Sequence, residues 1–252
     1  KVLTEHRDVL LDKSPNQGCF ALREAIRHYL SRNRGIQVCV DQIVIGSGSE
    51  YLYGLIIELL GRNRIYAIES PSYKKIEQVY RAAEITYDSL PLTNEGIDSK
   101  SLLNTKASVL HTTPYRSYPT GVTATASKRY EYIHWSEQGH RYIIEDDFES
   151  EFTLSYKHED TLYAMSGGER VIYVNSFSKT VSPSIRVGYM VLPMSLVDAF
   201  EQKLGFYSCT VPLFEQLVLK ELIAGGDFER HINRVRRHKR KEKESLSAID
   251  II

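Results

Sequence analysis

Cysteine is scarce in this 252-residue chain: Cys19, Cys39 and Cys209 are odd in number and far apart. That spacing excludes a disulfide framework and offers no close pair for a metal clamp, so a reducing, cytoplasmic setting is the expectation. Net charge is absent too, with 32 Lys plus Arg against 32 Asp plus Glu, and no overall field draws the chain to nucleic acid or an anionic membrane surface. Long apolar runs are also missing. The longest, "YLYGLIIELL" at 51–60, is short and interrupted by Glu58, and no basic segment followed by an apolar one marks a leader; neither secretion nor a membrane span is expected. There is no internal repeat and no low-complexity linker.

What is present suits a globular domain with a substantial core: 42% of residues are hydrophobic and 25% charged. Both ends read as cut. The chain opens on "KVLTEHRDVLLDKSPNQG" without a methionine and stops at "SLSAIDII" after a charged helical stretch, so a piece of a longer protein is expected.

Val-, Ile- and Tyr-rich runs recur as "QIVIGSG", "RIYAIES", "EITYDSL", "ASVLHTT", "RYIIEDD", "RVIYVNS" and "VGYMVLP", and these are strand candidates. Between most of them, "ALREAIRHYLSRNRG", "EYLYGLIIELLG", "YKKIEQVYRAA" and "SKRYEYIHWSEQGH" place apolar residues three and four apart, as helices do. The alternation predicts an α/β fold of three layers, a mainly parallel sheet with helices on both faces, and ligands at the carboxyl ends of the strands. After Pro193 the pattern is purely helical.

Four motifs fall at those strand ends. "IVIGSGSEYL" runs from a strand through Ser47, Gly48 and Ser49 into a helix, whose free N–H groups and positive dipole end suit a phosphate. A dinucleotide turn competes, since Glu69 stands where a ribose-binding acid would, but the third glycine of that fingerprint is replaced by Tyr51. In "ESPSY", Tyr73 follows a turn made by Pro71 and could stack on a flat ring. "RYIIEDDFESEF" delivers Glu145, Asp146 and Asp147 from a buried strand. Carboxylates there require a cation, a solvated terminus or a metal, and the lack of nearby His or Cys weakens the metal.

The fourth motif, "VNSFSKTVSPSIRVGYMVLP", sets Lys179 in a turn between two apolar runs, with Ser176, Ser178 and Arg186 beside it. A lysine becomes a nucleophile when desolvation or a neighbouring positive charge favours loss of its proton, and the two serines with the guanidinium make a phosphate cradle. A phosphate cup, a stacking aromatic, a carboxylate for a ring nitrogen and a lysine for an aldehyde are together the handles of pyridoxal 5′-phosphate.

The sequence thereby resembles the fold-type I pyridoxal-phosphate enzymes of the aspartate aminotransferase superfamily, and within them the aminotransferase-like domain of MocR/GabR regulators, a branch of the GntR group. The carriers are "ALREAIRHYLSRNRGI", "QIVIGSGSEYL", "HTTPYRSYPTG", "RYIIEDDFESEF" and "VIYVNSFSKTVSPSIRVGYMVLP", in the family's order and across essentially the whole chain. The resemblance implies that residues 1–252 form the aminotransferase-like domain, with 200–252 helical and leading towards a small carboxyl-terminal domain. That small domain, carrying the substrate-carboxylate arginine, and a winged-helix DNA-binding domain ahead of residue 1 both lie outside the chain. It implies an internal aldimine on Lys179, Asp146 at the pyridine nitrogen, Tyr73 on the ring, and Ser47, Gly48, Ser49, Ser176, Ser178 and Arg186 around the phosphate. Strand alternation supports Asp146 over Asp147, because neighbours on a strand point to opposite faces.

Two departures bear on activity. Phe148 and Tyr118 stand where the superfamily has a Tyr and an Asn that reach the cofactor's phenolic oxygen. The expected function is accordingly effector sensing, in which an amine or amino acid exchanges onto the cofactor and an attached DNA-binding domain responds. A free-standing amino-acid aminotransferase is the alternative, and a homodimer is implied in either case. The basic run "RVRRHKRKEKE" at 234–244 offers a nucleic-acid patch, but Glu242 and Glu244 interrupt it and a solvated helix face accounts for it.

Overall fold

The computed structural model describes residues 13–147 and 160–249 together with 2, 10 and 151, and for 242–249 only the backbone. Among them, eight strands form one sheet: β1 Ile43–Gly46, β2 Tyr66–Ser70, β3 Tyr87–Thr93, β4 Gly96–Ile97, β5 Val109–Thr112, β6 Tyr142–Asp146, β7 Val171–Ser176 and β8 Gly188–Val191. Their order is β1-β8-β7-β6-β5-β2-β3-β4. β7, β6, β5, β2 and β3 are mutually parallel, β4 is antiparallel to β3, and β8 is antiparallel to both of its neighbours.

Helices cover both faces, as the alternation predicts. Along β1, β2, β5, β6, β7 and β8 successive apolar residues enter opposite cores. On β6, Ile143 packs with α1 (Phe20–Arg34), while Ile144 packs with α2 (Ser49–Leu60) and α3 (Lys74–Ala82). Such strands are near-continuous apolar runs because both faces are buried; all four residues of β1, β5 and β8 are buried. α5 (Ala126–Glu137) and α9 (Leu213–Ala224) join the α1 side, whereas α8 (Met194–Leu204) joins the α2 side. α1 is capped at its start by the Cys19 sulfur, which accepts from the Leu22 N–H, and ends on Gly35 at φ 67°.

All seven strand candidates are strands, with the third displaced towards its carboxyl end. The elements without a sequence signal are short: β4, α4 (Ser99–Asn104), α6 (Leu162–Met165) and α7 (Phe177–Thr180) are too brief to display a period. The link from β7 to β8 consists of α7 and a short turn, which is too little chain for a parallel crossover, so β8 returns antiparallel. Its first residue, Gly188, pairs with Ser176, the last of β7, and with Gly46, the last of β1. β8 therefore begins on the edge where its neighbours end. α10 (Asp227–Ile249) follows α9 and carries the basic run.

Candidate functional site

A cavity of about 350 Å³ opens at that edge, lined by Ser49, Glu50, Tyr53, Tyr73, Lys75, Tyr118, Asp146, Ser176, Ser178, Lys179 and Arg186. Asp146 comes from the end of β6 and Ser176 from the end of β7. Ser178 and Lys179 come from α7, and Ser49 from the first turn of α2. Arg186 enters from just before β8, which the antiparallel return of that strand makes possible.

Asp146 is 2% exposed. Its Oδ2 accepts the Tyr53 hydroxyl, and the His111 Nε2 lies 3.8 Å from the same oxygen. His111 is held in turn by Tyr80, whose hydroxyl is 2.8 Å from Nδ1. Burial first, and then the Asp146 charge, push the Tyr53 phenol well above its ordinary value, so Tyr53 remains a donor. Asp146 Oδ1 is buried and has no hydrogen-bond partner among the described residues. A buried carboxylate oxygen facing a cavity calls for a donor.

The adjacent carboxylates turn the other way. Asp147 pairs with Arg34 at 2.5 Å and accepts the Tyr173 hydroxyl at 2.7 Å. Glu145 accepts the backbone N–H groups of Leu162 and Tyr163 at 2.7 and 2.8 Å, closing the amino end of α6. Burial and then the Asp147 charge raise Glu145 to about 7. Neither carboxylate is at the cavity, and no group of three or more His, Cys, Asp or Glu among the described residues is arranged to hold a metal.

The glycine turn is shaped for an anion. Gly48 has φ +93°, and a Cβ there would stand 2.9 Å from Arg186 Nη2, so the missing side chain lets the guanidinium lie against the start of α2. Ser47 does not face the cavity; its Oγ accepts the Thr210 hydroxyl at 2.9 Å. Ser178 lines the cavity, but its hydroxyl donates to the Ile185 carbonyl at 2.7 Å and so closes the turn that presents Arg186. The dinucleotide alternative fails at Glu69, which is 4% exposed. Glu69 accepts the Thr112 and Ser117 hydroxyls at 2.5 Å and the Thr113 N–H at 2.9 Å, leaving nothing for a ribose.

Lys179 departs from one expectation. It is exposed to the cavity, so of the two conditions for a nucleophilic lysine this chain alone does not supply desolvation. Tyr73 meets Tyr118 edge to face with ring centroids 5.9 Å apart. Phe148 lies outside the described residues. Sequence reasoning missed Tyr53, His111, Glu50 and Lys75. Tyr53 lies one helical turn after Ser49, and His111 is a polar residue inside an apolar strand run, signals that a search for buried polar groups could have used.

The residues present fit pyridoxal phosphate. The unpartnered Asp146 Oδ1 can take a ring N–H, Lys179 stands where an aldehyde can be met, and the start of α2 with Arg186 and Ser176 can take the phosphate.

Comparison with known proteins agrees. The sequence model described as "Aminotransferase class I and II" matches residues 10–250. The chain is 30% identical over 226 residues to an uncharacterized HTH-type transcriptional regulator, YdeL, of Bacillus subtilis, covering 90% of this chain and 49% of that protein. It is 26% identical over 217 residues to the probable rhizopine catabolism regulatory protein MocR of Rhizobium meliloti, covering 86% and 44%. These relatives bear out the resemblance to MocR-type regulators, and the chain spans about half the length of the curated relatives it matches. Among solved structures, the kynurenine aminotransferase of Pyrococcus horikoshii superposes with a TM-score of 0.83 at 27% identity, over 99% of this chain and 64% of that one. LysN, the α-aminoadipate aminotransferase of Thermus thermophilus in complex with N-(5′-phosphopyridoxyl)-L-leucine, does so with a TM-score of 0.81 at 26% identity, over 99% and 64%.

Proposed function

Because this chain belongs to the aminotransferase class I and II family, whose cofactor is pyridoxal phosphate, we propose that it is the effector-sensing domain of a MocR-type transcriptional regulator. The observation that carries this reading is the convergence on one cavity of Lys179, Asp146, Tyr73 and Arg186, which come from four separate segments. Pyridoxal phosphate, when bound, supplies an aldehyde that takes up primary amines and a ring that withdraws electrons from them. Lys179 would offer its amine to that aldehyde and give way when an amine or amino-acid effector enters. Asp146, oriented by Tyr53, would hold a proton on the ring nitrogen, and Tyr73 would lie against the ring. Gly48 and Ser49 at the start of α2, with Ser176 and Arg186, would hold the phosphate; Ser178 would set the turn that carries Arg186.

Regulators about twice the length of this chain support a DNA-binding domain that receives the change. The protein would act in the cytoplasm as a homodimer, for which the exposed Phe206, Tyr207 and Phe214 offer apolar surface. Tyr118, in place of the Asn of the aminotransferases, favours sensing over turnover. On mixing with pyridoxal phosphate the purified protein should gain visible absorbance, and borohydride followed by peptide mapping should label Lys179. An unlabelled Lys179 would sink the reading.

A free-standing aminotransferase is the second reading, favoured by the superposition of 99% of this chain on the kynurenine enzyme. Half-reactions with a panel of amino acids separate the two: conversion of the cofactor to its amine form supports the enzyme, and a reversible spectral shift without conversion supports the sensor.

A further inference from the structure

Glu50 stands one residue inside α2, in the wall of the proposed phosphate cup, and holds two of the cavity's cations, Arg186 and Lys75. Its Oε2 accepts from Arg186 Nη2 at 2.7 Å and its Oε1 from Lys75 Nζ at 2.8 Å. Partial burial by itself pushes Glu50 up, but the hydrogen bonds from Lys75, from its own backbone N–H and from Arg186 outweigh it and hold the carboxyl down at about 2, which favours the anion. The start of α2 favours that charge as well. The side chains remain open to water, with exposures of 29% for Glu50, 49% for Lys75 and 52% for Arg186. Exposed pairs of this kind are weak one by one and exchange partners readily.

A phosphate dianion would need the same guanidinium and the same helix end. It would arrive beside a fixed negative charge already bonded to both. We propose that Glu50 is an internal counter-anion that competes with the cofactor's phosphate for Arg186 and so determines how tightly a phosphate-bearing ligand is kept. The inference rests on the pyridoxal-phosphate reading of the cavity. When phosphate takes Arg186, Glu50 retains Lys75, and the exchange replaces one anion by another without stranding a charge. A residue that merely oriented Arg186 towards the phosphate would act in the opposite sense, and this makes the sign of one substitution decisive.

Glu50→Gln keeps the shape and removes the charge; Glu50→Ala removes both and guards against a new amide contact. Affinities for pyridoxal phosphate, for pyridoxal without its phosphate, and for inorganic phosphate are measured by absorbance titration and calorimetry on the wild type and both variants. Both variants should bind pyridoxal phosphate and inorganic phosphate about tenfold more tightly, with pyridoxal changed by less than about twofold. Unchanged or weaker phosphate affinity, or an equal gain for pyridoxal, overturns the proposal. If the wild type takes up no pyridoxal phosphate at all, the functional reading has failed instead, and the inorganic phosphate comparison still decides the role of Glu50.

Discussion

Asp146 and Asp147 are adjacent in the chain, yet their carboxylates occupy opposite faces of the sheet. One meets Tyr53 and His111 at the cavity, and the other meets Arg34 and Tyr173 in the core beneath α1. Two residues of one type thus do different work. The division follows from strand pleating and from which helix packs on each face.

The division predicts opposite mutant phenotypes. Asp147→Ala removes the ion-pair partner of the Arg34 guanidinium in a pair whose side chains are 1% and 0% exposed, which should cost about 3–5 kcal/mol of stability. Asp146→Asn keeps an acceptor for Tyr53 and should fold nearly as well, but it should lose about tenfold or more in pyridoxal-phosphate affinity. Urea unfolding and an absorbance titration of each variant check both, and a reversed pattern would refute the face assignment.

Removal of the Tyr53 hydroxyl takes from Asp146 its one hydrogen bond from a hydroxyl among the described residues. Hydrogen bonds to charged acceptors contribute about 1.5–3 kcal/mol. Tyr53→Phe should therefore lower stability by an amount in that range, and bound cofactor should recover part of it by giving Asp146 a new donor. Thermal unfolding with and without pyridoxal phosphate reads the difference.

Gly48→Ala should be harmful twice over. At φ 93° and ψ 172° the backbone lies in a region that is essentially glycine's alone, where a side chain costs about 1–3 kcal/mol, and the new Cβ would press on Arg186 Nη2 at 2.9 Å. Pyridoxal phosphate should bind markedly less well while pyridoxal is little changed. An equal loss for both would mean that the strain has spread beyond the phosphate end.

Glu69 ties the loop that bears Tyr118 to the end of β2. Burial pushes it up, the hydrogen bonds from Ser117, Thr112 and Thr113 pull it back, and the balance is about 7 against an ordinary 4.5. A carboxyl raised on folding stabilises fully below its unfolded value, and that stability is lost as pH rises from about 4.5 to about 7. Glu145 and Glu151 have the same direction and reach about 7 as well, so the wild-type Tm should fall across this window. Glu69→Gln should make the fall shallower, by at most about 3 kcal/mol between its ends. An unaltered slope would show that Glu69 titrates alike in both states.

The sequence by itself determined the sheet, because strands buried on both faces must be apolar throughout and the covering helices must repeat every three or four residues. It also placed Lys179, Asp146, Tyr73 and Arg186 at strand ends, and pleating alone separated Asp146 from Asp147. Short elements such as β4 and α6 left no trace, having too few residues to show a period. Partners distant in the chain were equally invisible. Tyr53 is 93 residues from Asp146, and Glu50 is 136 from Arg186. Only the tertiary structure, by returning β8 antiparallel and setting α2 against it, decided that Ser47 faces Thr210, that Ser178 closes a turn, and that a carboxylate already holds Arg186 of the phosphate cup. Local pattern records which face a residue takes, whereas the charge it meets there is decided by how the chain closes on itself.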